Sequence, residues 1–400
     1  MFLTAMPRPV DRLCYVFGVH TVQRAFLVVC ASALLSACLP GAAAARSRVP
    51  AGFFGTVLDP GIVQAASPSA LDAQMALMAR SGVQSLRVSF EWPSIEPSAG
   101  QFDFSQTDML VEDAARHGLN LLANLDSTPI WASSNPGSQY EFRYAPRSPQ
   151  LFADFMSALV SRYGPHGAFW KLHPGIRSRP IRQWQIWNEQ SFDVFWATQP
   201  WATTYTRMLK AGYIAIHHLD RGATVVAGSL VATGPLNQWT EMRALYKAGA
   251  RRYFDVIAIH PFTDGSLSVS TSIGRAATIV QNVRDVMRRY GDARKPIILT
   301  ELTWPGAVGF VTPSRLLGLE TTPRGERLRL AAAYNYFATH IRQNGVTQVY
   351  WFDWASSFDA NDPQSDVGYR FAGLTKFANG RFIPQAALST YSKVAHGYER

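Results

Sequence analysis

From residue 50 onward the chain alternates short apolar runs with longer amphipathic stretches, the pattern of repeated βα units around a parallel sheet. Runs at 53–57, 85–90, 119–125, 181–187, 223–227, 254–259, 295–301 and 346–352 have the length of buried strands. Between them, apolar residues recur at helical spacing over 69–80, 108–117, 148–163, 201–219, 237–247, 272–290 and 325–344. Ser148-Pro149 supplies a helix start, Gly118 and Gly345 supply stops, and Pro384 suggests the first turn of a closing helix over 384–394. Eight such units predict an α/β fold, a (β/α)8 TIM barrel of about 250 residues enlarged by insertions. A doubly wound open sheet is the alternative, but no Gly-rich phosphate loop follows any strand. No linker or low-complexity segment interrupts this region, so 46–400 reads as one domain.

Two of the predicted strands end in a carboxylate. The run Ile181-Arg182-Gln183-Trp184-Gln185-Ile186-Trp187-Asn188-Glu189 alternates in polarity, which groups Trp184, Ile186 and Asn188 on one side and delivers Glu189 at its C-terminal end. Lys295-Pro296-Ile297-Ile298-Leu299-Thr300-Glu301 does the same later in the chain. In a parallel barrel the C-terminal strand ends converge on one mouth. A pair of carboxylates there suits glycoside cleavage, one as acid and one as nucleophile. Either glutamate alone would read as an ordinary solvated or salt-bridged strand end.

Composition adds a targeting segment and removes some chemistries. Residues 1–45 carry Arg8, Arg12 and Arg24 ahead of an apolar run from Ala25 to Ala37, too short to span a bilayer. Leu35-Ser36-Ala37-Cys38 fits a lipoprotein signal with a lipid on Cys38, while Ala43-Ala44-Ala45 fits signal-peptidase cleavage. Both leave the protein exported: periplasmic, extracellular or lipid-anchored at the envelope. Cys14, Cys30 and Cys38 all lie in this segment, so the remainder offers no thiol nucleophile, disulfide framework or Cys-ligated metal. The formal charge of +10 falls to +8 without residues 1–45, a surface suited to acidic polysaccharide or the envelope. No Lys/Arg block resembles a nucleic-acid patch.

With these residues in place the chain resembles the clan A glycoside hydrolases, a retaining (β/α)8 superfamily, nearest to family 39 with family 5 close behind. Trp187-Asn188-Glu189 resembles the clan's strand-four signature and Leu299-Thr300-Glu301 its strand-seven nucleophile. The run from Trp92 to Pro97, with Gly100, Phe102 and Asp108, resembles the segment after strand two. The resemblance implies Glu189 as acid/base and Glu301 as nucleophile. It implies Arg87 as the partner holding Glu301 ionised, and Asn188 as the contact to the sugar 2-hydroxyl. His260 matches the end of strand six, where many relatives carry His-x-Tyr; here Phe262 replaces that Tyr. Trp351 and Trp354 look like a sugar-stacking platform, with Trp92, Trp131, Trp196 and Trp304 as further subsites, although each serves packing equally well. Most relatives have Pro after the Asn-Glu pair, where this chain has Gln190.

The leading expectation is a monomeric retaining O-glycosidase acting on an oligo- or polysaccharide, without cofactor or metal. A transglycosylase on the same site and a non-catalytic carbohydrate-binding barrel are the alternatives. A metal-dependent hydrolase would require a histidine cluster at strand ends, where only His260 is expected. The stretch containing Asp359, Asn361, Asp362 and Asp366 lacks the Gly and Glu of a calcium loop.

Overall fold

The computed structural model describes residues 49–232, 237–312, 318–357 and 368–398. Residues 1–45, read above as an export segment, and the stretch from Asp359 to Asp366 lie outside the described residues. Residues Arg46–Arg400 form one compact unit.

Eight parallel strands close a barrel in sequence order: β1 (Phe54–Leu58), β2 (Ser85–Glu91), β3 (Asn120–Asp126), β4 (Gln183–Ile186), β5 (Thr224–Leu230), β6 (Val256–Ile259), β7 (Ile297–Leu302) and β8 (Val346–Trp351). Closure comes from β1 pairing with β8, Phe54 opposite Val349. The (β/α)8 expectation holds. Among the described residues no helix is long and apolar enough to cross a membrane.

Alternation along each strand divides the core in two. Inward-facing Val57, Leu122, Val226, Val256, Ala258, Ile298 and Tyr350 fill the barrel, while their neighbours in sequence pack between barrel and helices. At the barrel floor Gln183 and Gln348 exchange amide hydrogen bonds of 3.0 and 3.1 Å, which satisfies both buried amides. Helix starts follow local capping chemistry. Ser148 caps the helix Pro149–Tyr163, and Ser268 starts Val269–Arg289 three residues before the expected Ser272. The long helix expected over 325–344 is instead Pro323–Thr339, capped by Thr322, followed by the short turn Ile341–Asn344.

Pro384 does not open a helix. It ends β11 (Arg381–Pro384), which pairs antiparallel with β10 (Thr375–Ala378); β10 in turn pairs with β9 (Ala355–Ser357) in a small separate sheet. The hairpin turns at Asn379-Gly380, both with positive φ (52° and 71°), the two-residue turn that suits strand twist. The last helix, Ala386–His396, begins after it.

Candidate active site

The parallel register sets the C-terminal ends of the strands around a cavity of about 620 Å³. Arg87, Asn188, Glu189 and Glu301 line it, and buried His260 lies against both glutamates. These five expected residues come together in one place.

Asn188 arrives there by a break in alternation. A continuous strand would have kept it with Trp184 and Ile186, which face the helices. The strand ends at Ile186, and Trp187 and Glu189 take positive φ of 71° and 44°. Such conformations cost on the order of 1–3 kcal/mol each in non-glycine residues and require support from their surroundings. Trp187 supplies part of it, packing edge-on to Trp196 at 4.8 Å and donating its indole N–H to Phe195 O at 2.9 Å. Tyr205, on the helix Trp201–Leu219, donates its hydroxyl to Ile186 O and accepts from Gly228 N, each at 2.7 Å. Gly228 must lack a side chain, because a Cβ there would collide with Gln190 Oε1 and the Ile186 carbonyl.

The two glutamates sit in different electrostatic settings. Arg87, buried at 4% exposure, donates from Nη1 to Glu301 Oε1 at 2.7 Å, from Nη2 to Asn188 Oδ1 at 2.8 Å and from Nε to Gln185 Oε1 at 2.9 Å. One guanidinium thereby holds Glu301 as the anion and fixes the Asn188 amide. Asn188 Oδ1 also accepts from Ser229 Oγ at 3.2 Å. With its oxygen occupied twice, its amide N–H2 is the group available to a ligand.

Glu189 has no such cation bonded to it, and burial pushes its carboxyl up to about 7, against a smaller opposing influence from Arg87. Its Oε1 lies 2.7 Å from His260 Nδ1, and His260 Nε2 lies 3.0 Å from Thr300 Oγ1. Burial lowers His260 to about 4, so the ring is neutral near pH 7 and carries one N–H. Thr300 is nearer to His260 Nε2, at 3.0 Å, than to Ser229 Oγ, at 3.3 Å. Where the Thr300 hydroxyl donates to Nε2, the ring proton sits on Nδ1 and is donated to Glu189 Oε1. The carboxyl proton of Glu189 is then confined to Oε2.

One ligand atom from each of Glu189, His260 and Glu301 lies within 4.8 Å of the others, a group that sequence reasoning placed at one site but not as metal ligands. Both His260 nitrogens are engaged with Glu189 and Thr300, and Glu301 is held by a guanidinium. A metal ion would have to displace these bonds and sit beside Arg87, so the donor set fits an acid–nucleophile pair better than a cation.

The tryptophan platform requires correction. Trp92, Trp304, Trp351 and Trp354 are fully buried and do not line the cavity. Trp351 follows inward-facing Tyr350, so strand parity turns it outward, where its N–H reaches Ala372 O. Trp354 donates to Gln74, Trp304 to Thr263 and Trp92 to Glu96; Trp92 also stacks on Phe155. Partly buried Trp131 packs on Trp92 and donates to Glu96 O, while Trp196 is buried behind Trp187. The cavity's aromatic wall is instead Trp187, Phe142, Phe192, Phe195, Phe352 and Tyr369. Tyr369 packs 6.3 Å from Phe262, bringing a phenol ring to the side where the expected Tyr is replaced.

Sequence reasoning also missed a third buried acid. Glu241, on the helix Gln238–Lys247, meets Ser191 Oγ at 2.6 Å and accepts from Val231 N at 3.0 Å, bracing the segment that follows Glu189. Burial pushes it up to about 8. Only its place in an amphipathic helix, without reference to the site, was legible.

An eight-stranded parallel barrel with glutamates at its fourth and seventh strand ends is the arrangement of the clan A glycoside hydrolases, and the resemblance drawn from the sequence is borne out by comparison with known proteins. The family model for glycoside hydrolase family 42, described as β-galactosidase, matches residues 64–136, a segment that contains Arg87 but neither glutamate. The beta-galactosidase BgaB of Geobacillus sp. (strain Y412MC61) is 28% identical over 193 residues, 43% of this chain and 26% of that protein. The chain thus spans about a quarter of the length of this curated relative. Among solved structures, a family 39 glycoside hydrolase from Bacteroides cellulosilyticus WH2 is 15% identical, with a TM-score of 0.58 over 87% of this chain and 64% of that one. A family 5 mannosidase from Rhizomucor miehei is 14% identical, with a TM-score of 0.55 over 88% and 94%. At these identities the structures establish the shared fold.

Proposed function

We propose that the protein is a retaining O-glycosidase working through two glutamates. The observation that carries this is the pair itself: Glu189 and Glu301 oxygens within 4.8 Å, one carboxyl raised to about 7 and the other bonded to a guanidinium. Retaining enzymes hold their carboxyl groups about 5–5.5 Å apart, inverting ones about 6.5–9.5 Å. Glu301 attacks the anomeric carbon while Glu189 Oε2 gives its proton to the departing oxygen. Glu189, now the carboxylate, accepts a proton from water as that water attacks the glycosyl–Glu301 bond. The Asn188 amide donates to the sugar beside the reacting carbon. The proposal includes an exported monomer, periplasmic, extracellular or lipid-anchored, and an envelope or extracellular glycan as substrate, on the strength of residues 1–45. The cavity does not favour the acidic glycan expected from net charge, because the acidic residues lining it, Asp59, Glu91, Asp126, Glu189 and Glu301, outnumber Arg87.

The test uses activated aryl glycosides and azide. Glu189→Ala still forms the covalent intermediate with a dinitrophenyl glycoside and then stalls; azide restarts turnover and gives the glycosyl azide of retained configuration. Glu301→Ala with azide gives the inverted product. Swapped anomers would reverse the roles, and full activity in both variants would remove the glycosidase reading. The three-residue group also motivates a chelation test: EDTA leaves activity unchanged. Loss restored by a divalent ion would reassign Glu189, His260 and Glu301 to a metal.

A further inference from the structure

The cavity has a second polar face that the two-glutamate chemistry leaves unused. β2 and β3 pair in register from Ser85 opposite Asn120 to Glu91 opposite Asp126. Alternation turns Arg87, Ser89 and Glu91 inward on one strand and Leu122, Asn124 and Asp126 on the other. Ser89, Glu91, Asn124, Asp126 and Ser127 all line the cavity that holds Glu189 and Glu301.

The hydrogen-bond donors of this face, Ser89, Asn124 and Ser127, are spent on Asp126. Asn124 Nδ2 donates to Asp126 Oδ2 at 2.5 Å, and Ser89 Oγ donates to the same oxygen at 3.3 Å. That bond fixes the Asn124 amide, since a flipped amide would set oxygen against carboxylate. Its Oδ1, on a residue only 2% exposed, then meets no donor among the described residues. Such a buried acceptor costs stability unless a ligand or solvent supplies an N–H or O–H. Burial and the neighbouring Glu91 push Asp126 up to about 7, against the weaker opposing influence of Arg87. Among the described residues Arg87 is the one basic residue lining the cavity, and three of its nitrogens donate to Gln185, Glu301 and Asn188 on the other side.

A ligand group matching this face must bring several donors and positive charge. A sugar hydroxyl brings one donor and no charge, an N-acetyl group one donor and an acceptor, and a uronate would face Glu91 and Asp126 with like charge. A protonated primary amine brings three donors and the complementary charge. We propose that Glu91, Asn124 and Asp126 form a subsite for a hexosamine unit carrying a free amine, with the ammonium seated between the two carboxylates and Asn124 Oδ1 accepting its remaining proton. The subsite deepens the glycosidase reading, on which it rests in taking the ligand to be a sugar.

Equilibrium binding to the intact protein tests it without relying on turnover. The probes are tetrasaccharides of β-1,4-linked glucosamine, of N-acetylglucosamine and of glucose, titrated calorimetrically at pH 6, where seating the ammonium releases the proton held by Asp126. The glucosamine tetramer binds at least tenfold more tightly than the other two. Asp126→Asn and Glu91→Gln, checked for folding by thermal melts, each bring the three ligands within about threefold of one another. Asp285→Asn, which removes an exposed carboxylate on an outer helix, leaves the preference intact. Equal affinities, preference for the acetylated or neutral tetramer, absence of binding by all three, or a preference that survives both substitutions would each overturn the subsite. Correct azide products without amine preference would remove this subsite alone. Amine preference without azide products would keep the subsite and remove the glycosidase.

Discussion

The ends of β4 and β7 carry the same side chain and opposite electrostatics. Glu301 sits against a buried guanidinium, 2.7 Å away, in a network that also fixes Asn188 and Gln185. Glu189 is buried against a neutral imidazole, and its carboxyl is raised to about 7. The difference shows how one residue type serves as anion and as acid within 4.8 Å: the neighbours assign protonation, and the carboxyl itself is generic.

Breaking the anionic side has the largest effect. Glu301→Gln leaves shape nearly unchanged and removes the attacking charge, lowering kcat on the order of 10⁴- to 10⁶-fold. Single-turnover assays with an activated glycoside measure this, and a loss under tenfold would remove Glu301 as nucleophile. The acid side sets the pH profile. Glu189 acts while protonated, so kcat/KM falls as pH rises through about 7, and protonation of the anionic partner gives the acid limb. The two limbs belong to the pair as a unit. Glu189→Gln lowers activity on substrates with poor leaving groups about 10²- to 10⁴-fold and abolishes the alkaline limb; an unchanged bell would contradict its role.

A smaller change separates the two settings. His260→Phe keeps the site apolar and removes the N–H that stabilises the Glu189 carboxylate. The alkaline limb therefore moves up by about one pH unit, and kcat falls about tenfold as the carboxyl proton loses its fixed position. A downward shift would mean that His260 accepts from Glu189 instead.

The least effect on activity is expected at Glu241. Its folded-state value of about 8 lies above the unfolded 4.5, so the folded state holds the extra proton between these values. Stability consequently declines as pH rises from about 4.5 through 8. Glu241→Gln, whose amide can donate to Ser191 and accept from Val231, leaves kcat within about twofold. It flattens this decline, with a higher Tm than the parent at pH 9. Equal pH slopes in the two melts would show that Glu241 does not titrate there.

The barrel and the carboxylate pair were legible because both are written in period. Eight apolar runs with amphipathic stretches between them specify a closed parallel sheet, and a Glu ending such a run must appear at the mouth. The same rule would have found Asp126, which ends β3 as Glu301 follows the apolar run of β7, and the hairpin at Asn379-Gly380, flanked by Phe377 and Phe382. What composition could not supply was direction. Counting tryptophans suggested a platform at Trp351 and Trp354, but strand parity sends Trp351 outward and the chain after β8 folds Trp354 under the small sheet. The aromatic wall comes from loops, where no period tells Phe142, Phe195 or Tyr369 which way to face. The turn at Trp187 was hidden for a related reason: positive φ in a bulky residue is supported by Trp196 and Tyr205, both beyond the strand's own apolar run.

Closure of the barrel by β1 on β8 also sets when the molecule can first act. Arg87 and Glu301 are separated by 214 residues, and the frame that presses them together is completed by the pairing of Phe54 with Val349. A nascent chain ended just after Glu301 possesses Arg87, Glu189 and Glu301, yet has no closed ring to hold them in register. On the proposed function such a chain stays inactive until its last strand is added, and competence arrives as a single late event in the life of the polypeptide.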